Sequence, residues 1–208
     1  MPSRVVHHGD GIEFLRAGLP ADAAIVTSLP DHSEIPALGV EGWKTWFVET
    51  VALACRALSD DAVAIFYQSD VKHDGRWIDK GHLVMCGADA AGSALLWHKV
   101  VCRFAAGTVT FGRPSYSHML CVSRTLRVDP GVSSADVLPG LGEMTWARAM
   151  GSAACEVAAR FIAEHTKCRT VVDPFCGLGS MLTAANAHGL DAIGVELSRR
   201  RAERARRL

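Results

Sequence analysis

The sequence predicts an α/β fold: an open, largely parallel sheet covered by helices on both faces. Three observations predict it. Short apolar, β-branched runs alternate with helical stretches along the chain, the order that strand–helix–strand units produce. Hydrophobic residues make up 49% of the 208 positions and charged ones 21%, enough to bury a core without staples. Near the carboxyl end a glycine turn, Gly177-Leu178-Gly179, joins an apolar run to a helix, the punctuation of a strand–helix crossover. Such a length suits one domain over 1–208.

The elements follow in order. A strand over 4–8 (RVVHH) precedes a helix over 11–17, with Asp10 at its boundary. A largely apolar strand spans 23–28. The helix over 42–58 sets Trp43, Phe47, Val51, Ala54 and Leu58 on one face, a stripe that must be buried. A strand over 62–67 and a helix over 77–90 come next. Two strands, 95–103 and 117–123, flank a turn-rich AAGTVTFGRP and predict an antiparallel hairpin at one sheet edge. The Pro/Gly/Ser-rich 129–142 segment reads as a lid, binding loop or disordered stretch. Helices over 146–165, 180–188 and 199–208 then alternate with strands over 170–173 and 192–196.

Composition excludes several classes. Lys+Arg and Asp+Glu balance at 22 each, which rules out a uniformly basic nucleic-acid clamp while leaving local patches open. The 7 cysteines are odd in number, scattered and without a C-x-x-C, as in a reduced compartment. His7-His8 lacks partners at ligand spacing, so no metal site is expected. No apolar run reaches about 18 residues and the start resembles no signal peptide. A soluble, cytoplasmic protein without membrane contact is expected.

The most informative stretch is 170–197. A strand ends at Asp173, the turn carries Gly177 and Gly179, a helix starts near Ser180, and a second strand ends at Glu196. An acid closing the second strand, about 20 residues on, can accept both hydroxyls of a ribose, so the unit suits an adenosine-containing ligand. Leu182 occupies the place of a third glycine, which weakens a NAD reading. Asp173, just before the turn, would repel a pyrophosphate but suits an ammonium group. S-adenosyl-L-methionine carries that ammonium on its methionine end.

These residues carry a family resemblance. Asp173-Pro174-Phe175-Cys176-Gly177-Leu178-Gly179-Ser180, with Ile193-Gly194-Val195-Glu196, resembles the cofactor motif of the circularly permuted amino-methyltransferases. Those enzymes act on N6 of adenine or N4 of cytosine. The resemblance implies a Rossmann-like class I methyltransferase sheet whose cofactor loop lies late in the chain. It implies that Asp173, Phe175, Cys176, Gly177 and Gly179 hold the methionine part of S-adenosyl-L-methionine and Glu196 the ribose. His8-Gly9-Asp10 resembles the element whose Asp recognises the adenine amino group; Asp10 is equally suited to cap the helix. Ser28-Leu29-Pro30-Asp31 sits where the family carries (Asp/Asn/Ser)-Pro-Pro-(Tyr/Phe/Trp). Ser28 and Pro30 match, Leu29 replaces a proline, and Asp31 replaces the aromatic that stacks on a flipped base. Ser28, Pro30 and Asp31 are the catalytic candidates, Ser28 also touching cofactor. Asp31 serves either as proton acceptor or as a helix cap.

On the substrate side, six arginines crowd the last residues, SRRRAERARRL, a basic strip suited to phosphates or simply a solvated helix. Tyr67, Gln68, Lys99, Arg113 and His118 flank the proposed cleft, and Trp77, Trp97 and Trp146 are expected in the core. No large target-recognition insert is visible. A bare core favours a target read by shape, so a nucleobase in structured RNA is expected ahead of DNA. A DNA amino-methyltransferase, a small-molecule methyltransferase and an inactive cofactor-binding subunit remain the alternatives, with a protein partner or homodimer conceivable.

Overall fold

The computed structural model describes residues 1–145 and 149–207. In chain order its elements are β1 (Arg4–His8), α1 (Gly11–Ala17), β2 (Ala23–Thr27), a 3₁₀ turn at Pro36–Leu38, α2 (Gly39–Ala57), β3 (Ala64–Gln68), β4 (Val71–His73) and β5 (Arg76–Ile78). There follow α3 (Lys80–Ala90), β6 (Ala94–Cys102), β7 (Tyr116–Ser123), β8 (Val137–Leu138), α4 (Ser152–His165), β9 (Thr170–Asp173), α5 (Ser180–Ala187), β10 (Asp191–Glu196) and α6 (Arg199–Ala205).

One eight-stranded sheet runs β1-β10-β9-β2-β3-β7-β6-β8. The first five strands in that order are parallel, and β7 is antiparallel to both β3 and β6. Strands from the two ends of the chain therefore lie side by side: β1 pairs with β10 and β2 with β9. From β9 the chain steps to β10 on one side, whereas β2 continues to β3 on the other. Right-handed crossovers in opposite directions put their helices on opposite faces. Accordingly α1, α2 and α3 pack together on one side, and α4 packs against α5 on the other.

The α2 stripe behaves as its spacing requires, with Trp43, Phe47 and Val51 fully buried and Ala54 and Leu58 nearly so. β2 and β3 are buried along their whole length, as expected of parallel strands covered on both faces.

Three expectations need correction. The 77–90 segment is not one helix: α3 starts at Lys80, capped by the Asp79 carboxylate, which accepts from the His82 backbone N–H. The preceding residues form the β4–β5 hairpin around Asp74-Gly75, whose φ values of 47° and 74° are those of a tight two-residue turn. Trp77 lies on that hairpin and is half exposed, not in the core. Nor is the β6–β7 hairpin the sheet edge, because β8, inside the 129–142 segment, adds in parallel to Val100 and Val101. Lys99 holds that segment by donating to the Ser134 and Ala135 carbonyls. The expected start of the 146–165 helix, with Trp146, and residue 208 lie outside the described residues; α4 is helical from Ser152.

Candidate functional site

All the parallel strands point their carboxyl ends to one rim. Asp173 ends β9, Glu196 ends β10, Asp10 follows β1, and Ser28 follows β2. The direction of the crossovers reverses between the parallel strands β9 and β2, and ligands of open α/β sheets bind at that crevice. A cavity of about 800 Å³ opens there, lined by Asp10, Ser28, Pro30, Asp173, Phe175 and Glu196 among others. Its volume suits a cofactor-sized ligand.

Local backbone chemistry builds the floor. Gly177 and Gly179 adopt φ of 56° and 86°, which a side chain would strain, and Gly179 starts α5. Gly11 serves by its size: a Cβ there would lie 2.1 Å from the Pro174 carbonyl oxygen. The start of α1 thus touches the 173–175 turn, bringing Asp10 to the cavity. Asp10 is the N-cap of α1, its Oδ1 accepting from the backbone N–H of Ile12 and Glu13. Capping and cavity lining coexist in this one side chain.

Asp173 is the electrostatic centre. Its side chain is buried, and Oδ1 accepts from the Thr27 hydroxyl at 2.7 Å and the Phe175 N–H at 3.1 Å. Burial pushes its carboxyl up to about 7, against the pull of those two bonds, and the nearby Glu196 adds to the rise. No cationic side chain among the described residues forms an ion pair with it. Such a carboxylate suits a ligand that brings its own positive charge. The Thr27–Asp173 bond also ties β2 to β9 across the crevice.

Glu196 is buried, with Oε1 accepting from the Ser198 N–H at 2.7 Å and lying 3.7 Å from Arg201. Phe175 meets Trp46 edge-on, with centroids 6.2 Å apart. Cys176 lines the cavity as a thiol: burial, then the charges of Asp173 and Glu196, push its ionisation well up. A thiol held so firmly protonated is a packing group and not a nucleophile.

The side formed by Ser28–Pro30, the candidate acceptor side, is built differently. Trp43 Nε1 donates to the Pro30 carbonyl at 3.0 Å, anchoring the Ser28–Pro30 loop to α2. Asp31 does not line the cavity. Its carboxylate is paired with the ammonium of Lys80, a side chain only 4% exposed, and among the described residues it caps no helix. Of the flanking residues expected from sequence, Tyr67, Gln68, Lys99, Arg113 and His118 all lie off the cavity, as does Gly179. Sequence reasoning missed Gly11, Thr27, Trp46, Met150 and Arg201. Only Gly11, beside Asp10 at a strand–helix junction, carried a local signal.

No family model and no curated protein matches the sequence. Solved structures do match. A candidate DNA modification methylase from Thermus thermophilus, complexed with S-adenosyl-L-methionine, has a TM-score of 0.72 at 20% identity, over 98% of this chain and 92% of that one. The M1.HpyAVI–SAM complex gives 0.66 at 15% identity, over 98% of each chain. The PvuII cytosine-N4-specific DNA methyltransferase gives 0.76 at 13% identity, over 99% of this chain and 86% of that one. The likeness spans nearly the whole chain, and the fold is that of the class I methyltransferases.

Proposed function

We propose that the protein is an S-adenosyl-L-methionine-dependent methyltransferase acting on an exocyclic amine of a nucleobase in DNA. One observation carries this: the buried Asp173 carboxylate at the switch point, joined on one rim by Asp10, Glu196 and Ser28 around a single cavity. The cofactor supplies an electrophilic methyl group on a sulfonium. Asp173 would face its ammonium, Glu196 its ribose hydroxyls, and Asp10 its adenine amine. The apolar wall of Phe175, Trp46 and Met150 would exclude water from the transfer. Ser28, which lines the cavity, would accept an N–H bond from the target amine and so aim the nitrogen lone pair at the methyl. With the cofactor bound, the methyl would pass from the sulfonium to the amine nitrogen, the S–C electron pair would stay on sulfur, and the amine would release one proton. Positioning supplies most of the rate in such a direct displacement.

The expectation of RNA finds no support among the structural neighbours, whose names specify DNA modification. DNA is therefore the favoured acceptor. Calorimetry with S-adenosyl-L-methionine tests the cofactor; absence of binding overturns the reading. Transfer of labelled methyl to duplex DNA, with RNA as the parallel arm and nucleoside mass spectrometry as readout, tests the acceptor. Label in RNA alone restores the expectation of an RNA target. Cofactor binding without transfer to either leaves a non-catalytic cofactor-binding subunit.

A further inference from the structure

A second cluster of chemistry-bearing side chains lies away from the cavity, where three separated segments meet. Asp70 follows β3, Asp79 precedes α3, and His118 stands on β7. One ligand atom of each lies within 4.8 Å of the other two. His118 Nε2 is 3.1 Å from Asp70 Oδ1 and 3.9 Å from Asp79 Oδ1. In a tetrahedral zinc site, with bonds of about 2.0–2.1 Å, ligand atoms stand roughly 3.3 Å apart. The observed separations straddle that value.

The geometry points to a divalent transition-metal site of the zinc class, with Asp70, Asp79 and His118 as its three protein ligands and a water as the fourth. One imidazole and two carboxylates form a mixed N/O set, which favours zinc-class ions over magnesium or calcium. The shell behind the ligands is also in place. His118 Nδ1 lies 3.0 Å from His98 Nε2, the outer partner that orients a metal-bound imidazole. Asp70 accepts the Lys80 backbone N–H at 2.8 Å, and Asp79 the His82 N–H at 2.8 Å. The Lys80 ammonium is turned away to Asp31.

A separate observation supports a ligand here. Directly across the ladder from His118 is Gln68, on the same face of the sheet. It is fully buried, and neither its amide oxygen nor its amide nitrogen has a hydrogen-bond partner. Buried amides are seldom left so, and a metal-bound water is a donor of the kind Oε1 lacks. His118 and Asp70 have side chains about 10% exposed, whereas that of Asp79 is 62% exposed. The ion therefore enters from the Asp79 side. It sits between His118 Nε2 and the two carboxylates, and it pins the β4–β5 hairpin to β7. Three ligands so far apart in sequence leave no motif to read.

The test uses tag-free full-length protein, stripped with chelator and dialysed against Zn(II), with magnesium in excess as a competing arm. About one zinc per chain is expected, unaffected by magnesium, with a raised thermal midpoint. His118→Ala should lose the ion. Asp79→Asn, which keeps a capping oxygen, should weaken binding at least about tenfold with an unchanged circular dichroism spectrum. His82→Ala, removing the nearby His82–Cys86 pair, should bind as wild type. No zinc on the wild-type protein, or equal zinc on Asp79→Asn, overturns the assignment.

Discussion

The two walls of the cavity solve the same problem, holding a carboxylate at a fixed place, by opposite means. On the cofactor wall Asp173 is buried and receives only neutral donors, Thr27 and Phe175. Behind the acceptor wall, off the cavity itself, Asp31 is partly exposed and neutralised by the buried Lys80. The first arrangement leaves a carboxylate without a counter-ion facing the cavity; the second neutralises it inside the protein. A site built for a cationic cofactor needs the former. The consequence is that the two acids should respond oppositely to removal.

The largest effect is expected at Asp173. Asp173→Asn keeps an acceptor for Thr27 and Phe175 but removes the charge, so cofactor affinity should fall by at least about 100-fold in calorimetry. The empty protein should gain stability. A buried acid raised to about 7 from an ordinary 3.8 holds its proton longer folded than unfolded. Its ionisation therefore lowers stability progressively as pH rises between those two values. At pH 8 the asparagine variant should unfold about 1–3 kcal/mol later in denaturant titrations. A variant less stable than wild type there would mean that Asp173 is satisfied without a ligand.

At Asp31 the signs reverse. Asp31→Asn strands the Lys80 ammonium, a loss worth several kcal/mol for fully buried pairs. With Asp31 itself partly exposed, about 1–3 kcal/mol of stability should be lost. Cofactor affinity should not move, since Asp31 does not line the cavity. If it also takes up the acceptor proton, turnover falls by about 10²-fold; turnover equal to wild type reduces it to the counter-ion of Lys80.

Gly11→Ala tests how the walls are joined. Its Cβ would meet the Pro174 carbonyl at 2.1 Å, so α1 must shift, at about 1–3 kcal/mol by thermal or denaturant unfolding. Asp10 shifts with it, and cofactor affinity falls in the same variant. An unchanged affinity would remove Asp10 from the cofactor contacts.

The walls also differ in how far the sequence revealed them. The cofactor wall is local: strand, turn, helix and strand follow one another within 170–196, and each residue's neighbours in sequence are its neighbours in space. Gly177, Gly179 and the acids at the strand ends were legible for that reason. The acceptor wall is assembled from distant pieces, Lys80 from a helix start and Trp43 from α2, and no spacing rule connects them. The β4–β5 hairpin was hidden for a different reason. Its Asp74-Gly75 turn is a strong local signal, but strands of three residues are too short to show periodicity.

Cofactor binding should track the Asp173 proton. A ligand cation selects the carboxylate, so affinity should rise up to about tenfold per pH unit on approach to pH 7 and level off above it. The rise should vanish in Asp173→Asn. A flat profile in wild type would place the ligand's charge elsewhere.

The smallest effect belongs to the arginines of α6 and of the two residues that follow it, which separate structure from contact within one short stretch. Arg206 donates through Nε and Nη2 to the Val6 carbonyl, and Arg199 pairs with Glu203. Arg200, Arg204 and Arg207 are exposed. Among the described residues the latter three are held by no side-chain bond, so they are the ones to test against phosphates. Changing Arg204 to Ala should weaken DNA binding about two- to threefold and lower the slope of log K against log salt by about 1. Thermal stability should stay within about 0.5 kcal/mol. Arg206→Ala should show the reverse: a loss of about 1 kcal/mol of stability from the lost carbonyl bonds, with the salt slope intact. Equal salt slopes for Arg204→Ala and wild type would confine the basic strip to solvation, and leave DNA to reach the cavity along the acceptor wall alone.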